Sequence, residues 1–119
     1  MTCNAFDREC LDALLTQELA ACSEEERAFF HKAACPPEKW RQSPWGDAVG
    51  GFWAVAIWDN RVLWYNEIED GFNVSRYTDV GTIPDDEYWC NQDSLNWALA
   101  WLGGESGPKL GPPQQIPCP

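Results

Sequence analysis

The chain has 119 residues and a formal net charge of −11, because nineteen acidic residues stand against eight lysines and arginines. A chain of this length forms one domain with a hydrophobic core, and its 45% apolar content argues against a disordered protein. Because the negative charge repels phosphates, it argues against direct binding to nucleic acids and to anionic membranes.

The first part of the chain predicts a helical hairpin. Asn4 is a typical N-cap residue, and apolar side chains then recur at steps of three and four, which is the pattern of one helix face. Ser23 and Glu26 match the capping box that opens a second helix. The prolines at 36–37 end that helix, because the residue before a proline is disfavoured in the helical region. The segment PEKWRQ then predicts a short helical turn.

The middle of the chain predicts an antiparallel meander. Its strands are the segments GFWAVAIW, RVLWYN and FNVSRY, which are rich in aromatic and β-branched residues. The turn sequences Asp59-Asn60 and EIEDG separate them. After the third strand, EYWC predicts a short additional strand at the edge of the sheet.

The first hairpin of this meander has two apolar faces. With Asp59-Asn60 as a two-residue turn, Ile57 lies opposite Val62, and Val55 lies opposite Trp64. The other face is also apolar, with Ala54, Ala56, Leu63 and Tyr65. This pattern predicts a sheet that is covered on both faces, or one whose exposed apolar face makes contacts.

The sequence NQDSLNWALAWL predicts a third helix. Asn91 or Asp93 caps it, a stripe of leucines faces the core, and Gly103 ends it. Residues 104–119 are rich in proline and glycine and predict a disordered tail. The predicted fold is therefore α+β within residues 1–103: an N-terminal helical hairpin, a central three- to four-stranded antiparallel meander, and a C-terminal helix packed on the sheet.

The six cysteines predict mainly reduced, structural thiols. They contain no C-x-x-C pair, and the chain has a single histidine, which argues against a structural zinc site. Cys10 and Cys35 are the pair most suited to a disulfide, because they come opposite each other if the hairpin turns near Cys22. No apolar run approaches the roughly 20 residues that span a bilayer, and the N-terminus lacks a secretion signal. We therefore predict a cytoplasmic protein without membrane contact.

The motifs of metal sites and enzymes fit this sequence poorly. Aligning Gly71 with the glycine of a calcium-binding loop places Ile68 and Tyr77 at ligand positions, which excludes an EF-hand. His31 is the single candidate for an imidazole base, and no nucleophile elbow or phosphate-binding glycine loop is present. The sequence thus predicts no catalytic residue, no metal and no cofactor.

The acidic residues instead predict a protein-binding surface. Residues 51–102 contain nine acids and two bases, together with several aromatic residues. Aromatic anchors give affinity at an interface, while carboxylates steer a basic partner toward it. The predicted contact residues are Glu67, Glu69, Asp70, Asp85, Asp86, Glu87, Trp58 and Tyr65.

In size, acidity and order of elements, the chain resembles the small acidic immunity proteins that bacteria make against their own toxins. The resemblance implies a non-enzymatic inhibitor, a monomer or homodimer, that docks on a basic toxin or nuclease and blocks its site. Four other functions fit the same composition: a nucleic-acid mimic that inhibits a defence nuclease, an acidic secretion chaperone, a small-ligand-binding domain, and a small enzyme whose deep cleft joins His31 or Cys90 to a pair of carboxylates. A dimer with apolar patches would favour the chaperone, phosphate-like spacing of carboxylates the mimic, and a deep apolar cleft the ligand-binding domain.

Overall fold

The computed structural model describes residues 6–104 and confirms the predicted α+β fold. The helices and strands are α1 Arg8–Ala20, α2 Glu24–Ala33, β1 Ala34–Trp40, β2 Phe52–Trp58, β3 Arg61–Asn66, β4 Gly71–Arg76 and α3 Leu95–Leu102. Two short 3₁₀ turns, Gly46–Val49 and Asp85–Glu87, lie in the connections. Of the predicted tail, residues 105–119 lie outside the described part of the chain.

The four strands form one antiparallel sheet in the order β1-β2-β3-β4. The strand that joins the three predicted ones is β1, which precedes them in the chain and contains most of PEKWRQ, so the helical turn predicted for that segment is wrong. The segment EYWC, predicted as an edge strand, is not a strand. The prolines at 36–37 are compatible with β1 because it is an edge strand, and the register passes from Ala34 directly to Glu38 across a bulge. The prolines therefore occupy positions where the sheet needs no backbone donor.

The helix ends show which capping predictions were correct. The capping box of Ser23 and Glu26 is present, and α3 ends at Gly103 as predicted. Asp7 caps α1 by accepting a hydrogen bond from the backbone N–H of Cys10, whereas the predicted cap Asn4 lies outside the described residues.

The predicted caps of α3 were wrong, because Ser94 occupies that position. The carboxylate of Glu18 on α1 accepts a hydrogen bond from the backbone N–H of Leu95, at 2.8 Å. A long-range contact thus satisfies a donor that a local side chain satisfies in most helices.

Both faces of the sheet are covered, which was one of the two predicted arrangements. We call the side packed against the three helices the helix face; its buried sheet residues are Val55, Ala56, Leu63, Tyr65, Phe72 and Val74. We call the opposite side, covered by the connections 41–51 and 77–93, the loop face; its buried sheet residues are Trp40, Phe52, Ala54, Val62 and Trp64.

The register predicted for the first hairpin is wrong beyond Ala56, because β2 contains a bulge between Ala54 and Ala56. Ile57 pairs with Val62 as expected, but Trp64 pairs with Ala54 instead of Val55. The shift puts the consecutive residues Val55 and Ala56 on the helix face, because a bulge adds one residue to one strand.

The thiol prediction needs correction as well. Cys10 belongs to a disulfide and so does Cys90, whereas Cys22 and Cys35 are free thiols. The suggested pairing of Cys10 with Cys35 is therefore absent, and the cysteines of the described chain are not mainly reduced. Disulfides persist in oxidising environments, so this finding gives no support to a reducing compartment.

Candidate functional site

The acidic turn after β3 is organised by a buried asparagine. The side-chain oxygen of Asn66 accepts hydrogen bonds from the backbone N–H groups of Ile68 and Glu69, at 3.0 and 3.2 Å. Its amide donates to the hydroxyl of Tyr88 at 2.9 Å, which fixes the turn to the loop face. Asp70 then takes a positive φ of 56°, a conformation that aspartate tolerates better than most residues. The local sequence therefore builds a rigid turn.

Two of the three predicted acids in this turn are withdrawn from solvent. Glu69 is only 5% exposed, and burial together with neighbouring Asp70 raises the pKa of its carboxyl group. Glu67 is half-buried, and burial raises its pKa although Lys39 and the backbone of Phe6 oppose the shift. Of the three side chains, Asp70 is the one that is exposed to solvent.

The second group of predicted acids, Asp85, Asp86 and Glu87, also contains both exposed and buried side chains. Glu87 is 7% exposed and holds Arg76, accepting hydrogen bonds from its backbone N–H at 2.8 Å and from its guanidinium at 3.1 Å. Asp85 and Asp86 are exposed. They adjoin the Arg76 end of β4, and the first acidic turn adjoins the other end, so about 17 Å of strand separates the two groups.

The two predicted aromatic anchors lie mainly inside the domain. Tyr65 is 7% exposed, stacks on Phe6 and donates a hydrogen bond to Asp70; burial, with this carboxylate next in importance, raises the pKa of its hydroxyl. Trp58 is half-buried and meets the ring of Phe29 edge to face at 5.1 Å. The ammonium group of Lys32 covers Trp58 at 5.6 Å. Both aromatic residues are primarily structural.

The basic side chains are largely occupied by contacts within the domain. Arg27 donates to the backbone carbonyl groups of Leu19 and Cys22, and Lys39 donates to that of Val49 while lying over a tryptophan ring. The residues that the structure describes form two ion pairs, Arg8–Asp12 and Arg76–Glu87. Most exposed carboxylates consequently have no basic partner within the described chain, so the negative field extends into solvent.

An apolar groove with an acidic side lies between the second and third helices. We call it the α2–α3 groove; α2 contributes Glu25, Glu26 and Phe29, and the α3 side contributes Asn96, Leu99, Ala100 and Gly103. Its volume is about 410 Å³. The Phe29 ring lies beside Gly103 at the end of α3, where a Cβ would make ordinary van der Waals contact with the ring at 3.6 Å.

Trp97 stands beside this groove and was missing from the predicted site. It is 61% exposed, and it lies next to Asn96 and three residues before Ala100 on the outer side of α3. The sequence carried a signal for it: when Leu95, Leu99 and Leu102 face the core, helical periodicity turns Trp97 outward. The acidic wall of the groove could not be predicted, because it depends on how α2 packs against α3.

Two further depressions have polar linings. One of about 230 Å³ includes Glu18, Tyr65, Asp70 and Asp93, and one of about 410 Å³ lies beside Arg41 on the loop face. Within the described residues, no group of three or more side chains is placed to hold a metal ion.

His31 and Cys90 lie outside these depressions and outside the α2–α3 groove. His31 is exposed on α2, and Cys90 is buried and disulfide-bonded. Neither residue lines any of the three cavities. In the described part of the chain, every helix falls short of the length and apolarity required to cross a membrane.

Comparison with known protein families, curated proteins and solved structures finds no match for this chain. The functional interpretation of its surface therefore depends on the charges, burial and contacts of its own residues.

Proposed function

We propose that this protein is a non-enzymatic acidic binding module that docks on a basic protein and neutralises it, in the manner of an immunity-type inhibitor of a toxin or nuclease. The observation that carries the proposal is the unpaired acidic surface. The net charge is −11, and the described residues hold only two ion pairs. A field of one sign accelerates association with an oppositely charged protein and disfavours partners of the same charge.

The proposal assigns different roles to the predicted contact residues. Asp70, Asp85 and Asp86 are exposed, and they supply carboxylates that a basic partner can reach. The remaining predicted residues support the surface from within, namely Glu67, Glu69, Glu87, Trp58 and Tyr65. Glu87, for example, orders the segment that carries Asp85 and Asp86 by bonding to Arg76. A rigid presentation lowers the entropy cost of binding.

The test begins with the tagged full chain, used to isolate its partner from the native host, followed by measurement of the association rate at several salt concentrations. We expect a basic partner whose association rate falls by more than about tenfold between low and high salt, because salt screens exposed charges. The combined variant Asp70→Asn, Asp85→Asn, Asp86→Asn should slow association while the unfolding free energy changes little.

A variant with the same loss of charge provides the control. Glu9→Gln, Glu38→Gln and Asp59→Asn also neutralise three exposed carboxylates, at other positions. If the two triple variants slow association equally, the three aspartates contribute only to net charge. A partner without a basic surface, or an association rate that is independent of salt, would contradict the proposed function.

A further inference from the structure

We infer that the α2–α3 groove is the docking site for an amphipathic helix of the basic partner, with an apolar side chain in the groove and lysine or arginine residues against Glu25 and Glu26. This inference rests on the proposed function and specifies where, and through which chemistry, the partner is recognised. Three features carry it: the closed edges of the sheet, the exposed Trp97 beside an apolar floor, and the distribution of charge along α2.

Within the described residues, the two edges of the sheet offer few free backbone N–H groups to which a partner could add a strand. The edge strand β1 carries the proline pair at 36–37, which lacks backbone donors. At the other edge, the backbone N–H groups of Phe72 and Arg76 already donate to Asp93 and Glu87. A partner segment must therefore bind to side chains, and a groove between two helices suits a third helix.

The groove offers an apolar floor, and an exposed aromatic side chain lies next to its lining residues on α3. Phe29 and Leu99 supply the floor, and the small side chain of Ala100 keeps the groove open. Trp97 is the one tryptophan of the described chain that is mainly exposed, at 61%. Exposure of so large an apolar side chain has no benefit to folding, whereas tryptophan is among the residues that contribute most to binding at interfaces.

The charges along α2 define which partner fits. Glu24, Glu25 and Glu26 form its first turn, and the last two lie in the groove wall. The cations near the groove lie at its other end: Lys32 covers Trp58, which contacts Phe29, and Arg61 lies beside Gly104. Opposite charges attract across an interface, so the basic residues of the bound helix belong at the end with Glu25 and Glu26.

The probe is a synthetic peptide of leucine and lysine, about 18 residues or five helical turns long, with leucines spaced to form one helix face. A scrambled peptide of identical composition has the same charge but no apolar face. Calorimetry at near-physiological salt measures both affinities with the full chain. We expect the amphipathic peptide to bind at least about tenfold more tightly, and to shift the NMR signals of the Trp97 indole and the Ala100 methyl group.

Single variants locate the contact. Ala100→Gln fills the groove, and Trp97→Ser removes the exposed aromatic side chain next to it; each should weaken binding of the amphipathic peptide by about tenfold and leave binding of the scrambled peptide unchanged. Val80→Ser is the control, because it removes an apolar side chain that is 72% exposed and is not part of the groove. Chemical denaturation of each variant checks that the domain stays folded.

A charge pair of variants tests the acidic wall. Glu25→Lys and Glu24→Lys change the net charge equally within the same helical turn, but only position 25 lies in the groove. Glu25→Lys should weaken the amphipathic peptide several-fold more than Glu24→Lys does. Equal effects would assign the attraction to net charge and overturn the predicted contact.

The remaining outcomes separate this inference from the proposed function. Equal, salt-dependent binding of the two peptides, with silent groove variants, overturns the groove and leaves the acidic module intact. Absence of binding by either peptide overturns the groove, while the salt dependence of the natural partner decides the proposed function. If sedimentation shows a dimer that Trp97→Ser dissociates, a second copy occupies the groove. If deletion of residues 105–119 shifts the NMR signals of Trp97 and Ala100 in the absence of peptide, the chain itself occupies the groove; both results overturn the inference.

Discussion

The helix face and the loop face of the sheet are both fully covered, but they are closed by different chemistry. On the helix face, three amphipathic helices contribute apolar side chains such as Leu11, Leu95 and Leu102. On the loop face, irregular connections take the place of helices and are held by buried polar groups. Asn73 exchanges hydrogen bonds with the backbone of Asn91, and Ser75 accepts one from Trp64 and donates one to the backbone of Glu87.

This difference determines how each face tolerates change. An apolar contact is non-directional, so a helix can shift slightly and keep most of its buried area. A buried hydrogen bond needs its partner at a defined distance and angle, and a buried donor or acceptor that loses its partner retains the full desolvation cost. We therefore expect the loop face to be the more sensitive side to small changes in geometry.

The largest expected effect comes from Gly71→Ala, which acts on the loop segment at the edge of β4. A Cβ at this position would lie 2.3 Å from the backbone oxygen of Asn91 and 2.3 Å from the Cα of Gln92. The segment has no free path away, because the backbone N–H of Phe72 is bonded to Asp93 at 2.9 Å. We expect a loss of roughly 3 kcal/mol in the free energy of unfolding, measured by urea denaturation.

Gly103→Ala is the matched change on the side of the helices. The nearest atoms to a Cβ there lie at 3.5 and 3.6 Å, which is ordinary contact, and its φ of −76° is available to alanine. Its effect should stay below about 1 kcal/mol. Similar small losses for the two glycines would show that the segment after Glu87 moves freely, and the proposed contrast between the faces would fail.

A somewhat smaller loss is expected for Asn66→Ala, which removes two hydrogen bonds within the acidic turn and two that join this turn to the loop face. The variant leaves the backbone N–H groups of Ile68 and Glu69 without their acceptor and Tyr88 without its donor. The expected cost is about 2 kcal/mol, since water can reach part of the turn. Asn60→Ala, in the exposed turn before β3, should change the stability by less than about 0.5 kcal/mol. Equal effects would mean that the buried asparagine is replaceable by water.

The same contrast explains which parts of the fold the sequence could predict. The helix face follows from local rules, because the capping box at Ser23 is a short sequence motif and the leucine stripe of α3 is a periodic pattern. The loop face depends on pairs that are far apart in sequence, such as Asn66 with Tyr88 and Asn73 with Asn91. Sequence periodicity does not reveal pairs that are so far apart. It also does not reveal the bulge in β2, which places Val55 on the helix face.

The candidate site was predictable to a similar extent. The sequence indicated an acidic protein, and its eight predicted contact residues included Asp70, Asp85 and Asp86, which are exposed. It could not distinguish them from Glu69 and Glu87, because alternation predicts burial only within regular strands, and both glutamates lie in turns. The α2–α3 groove needed the relative placement of two helices that are about 70 residues apart in the chain, which local patterns do not contain.

The smallest expected effect is a pH dependence that both faces share. Burial raises the pKa of both Glu69 and Glu67. The charge of Glu69 acts on the Tyr88 hydroxyl on the loop face, whereas the carboxylate of Glu67 contacts the backbone of Phe6 on the side of the helix face. Each folded-state pKa lies above the ordinary value of 4.5. The contribution to stability is therefore fully present below that value and is lost as the pH rises through the folded-state pKa. We expect the urea midpoint to be higher at about pH 4.5 than at about pH 7.5.

Two isosteric variants show which of the two glutamates, and so which side of the sheet, causes the pH dependence of stability. Glu69→Gln should raise stability at pH 7.5 and flatten the pH profile, because the described residues place no cation that compensates the buried charge of Glu69, and its one neighbouring charge is the like charge of Asp70. Glu67→Gln should have less effect, since Lys39 and the backbone of Phe6 already stabilise that carboxylate. The exposed Glu38→Gln removes the same charge from the surface and measures general repulsion. If all three variants behave alike, the pH dependence reflects net charge, and the buried carboxyl groups do not distinguish the two faces.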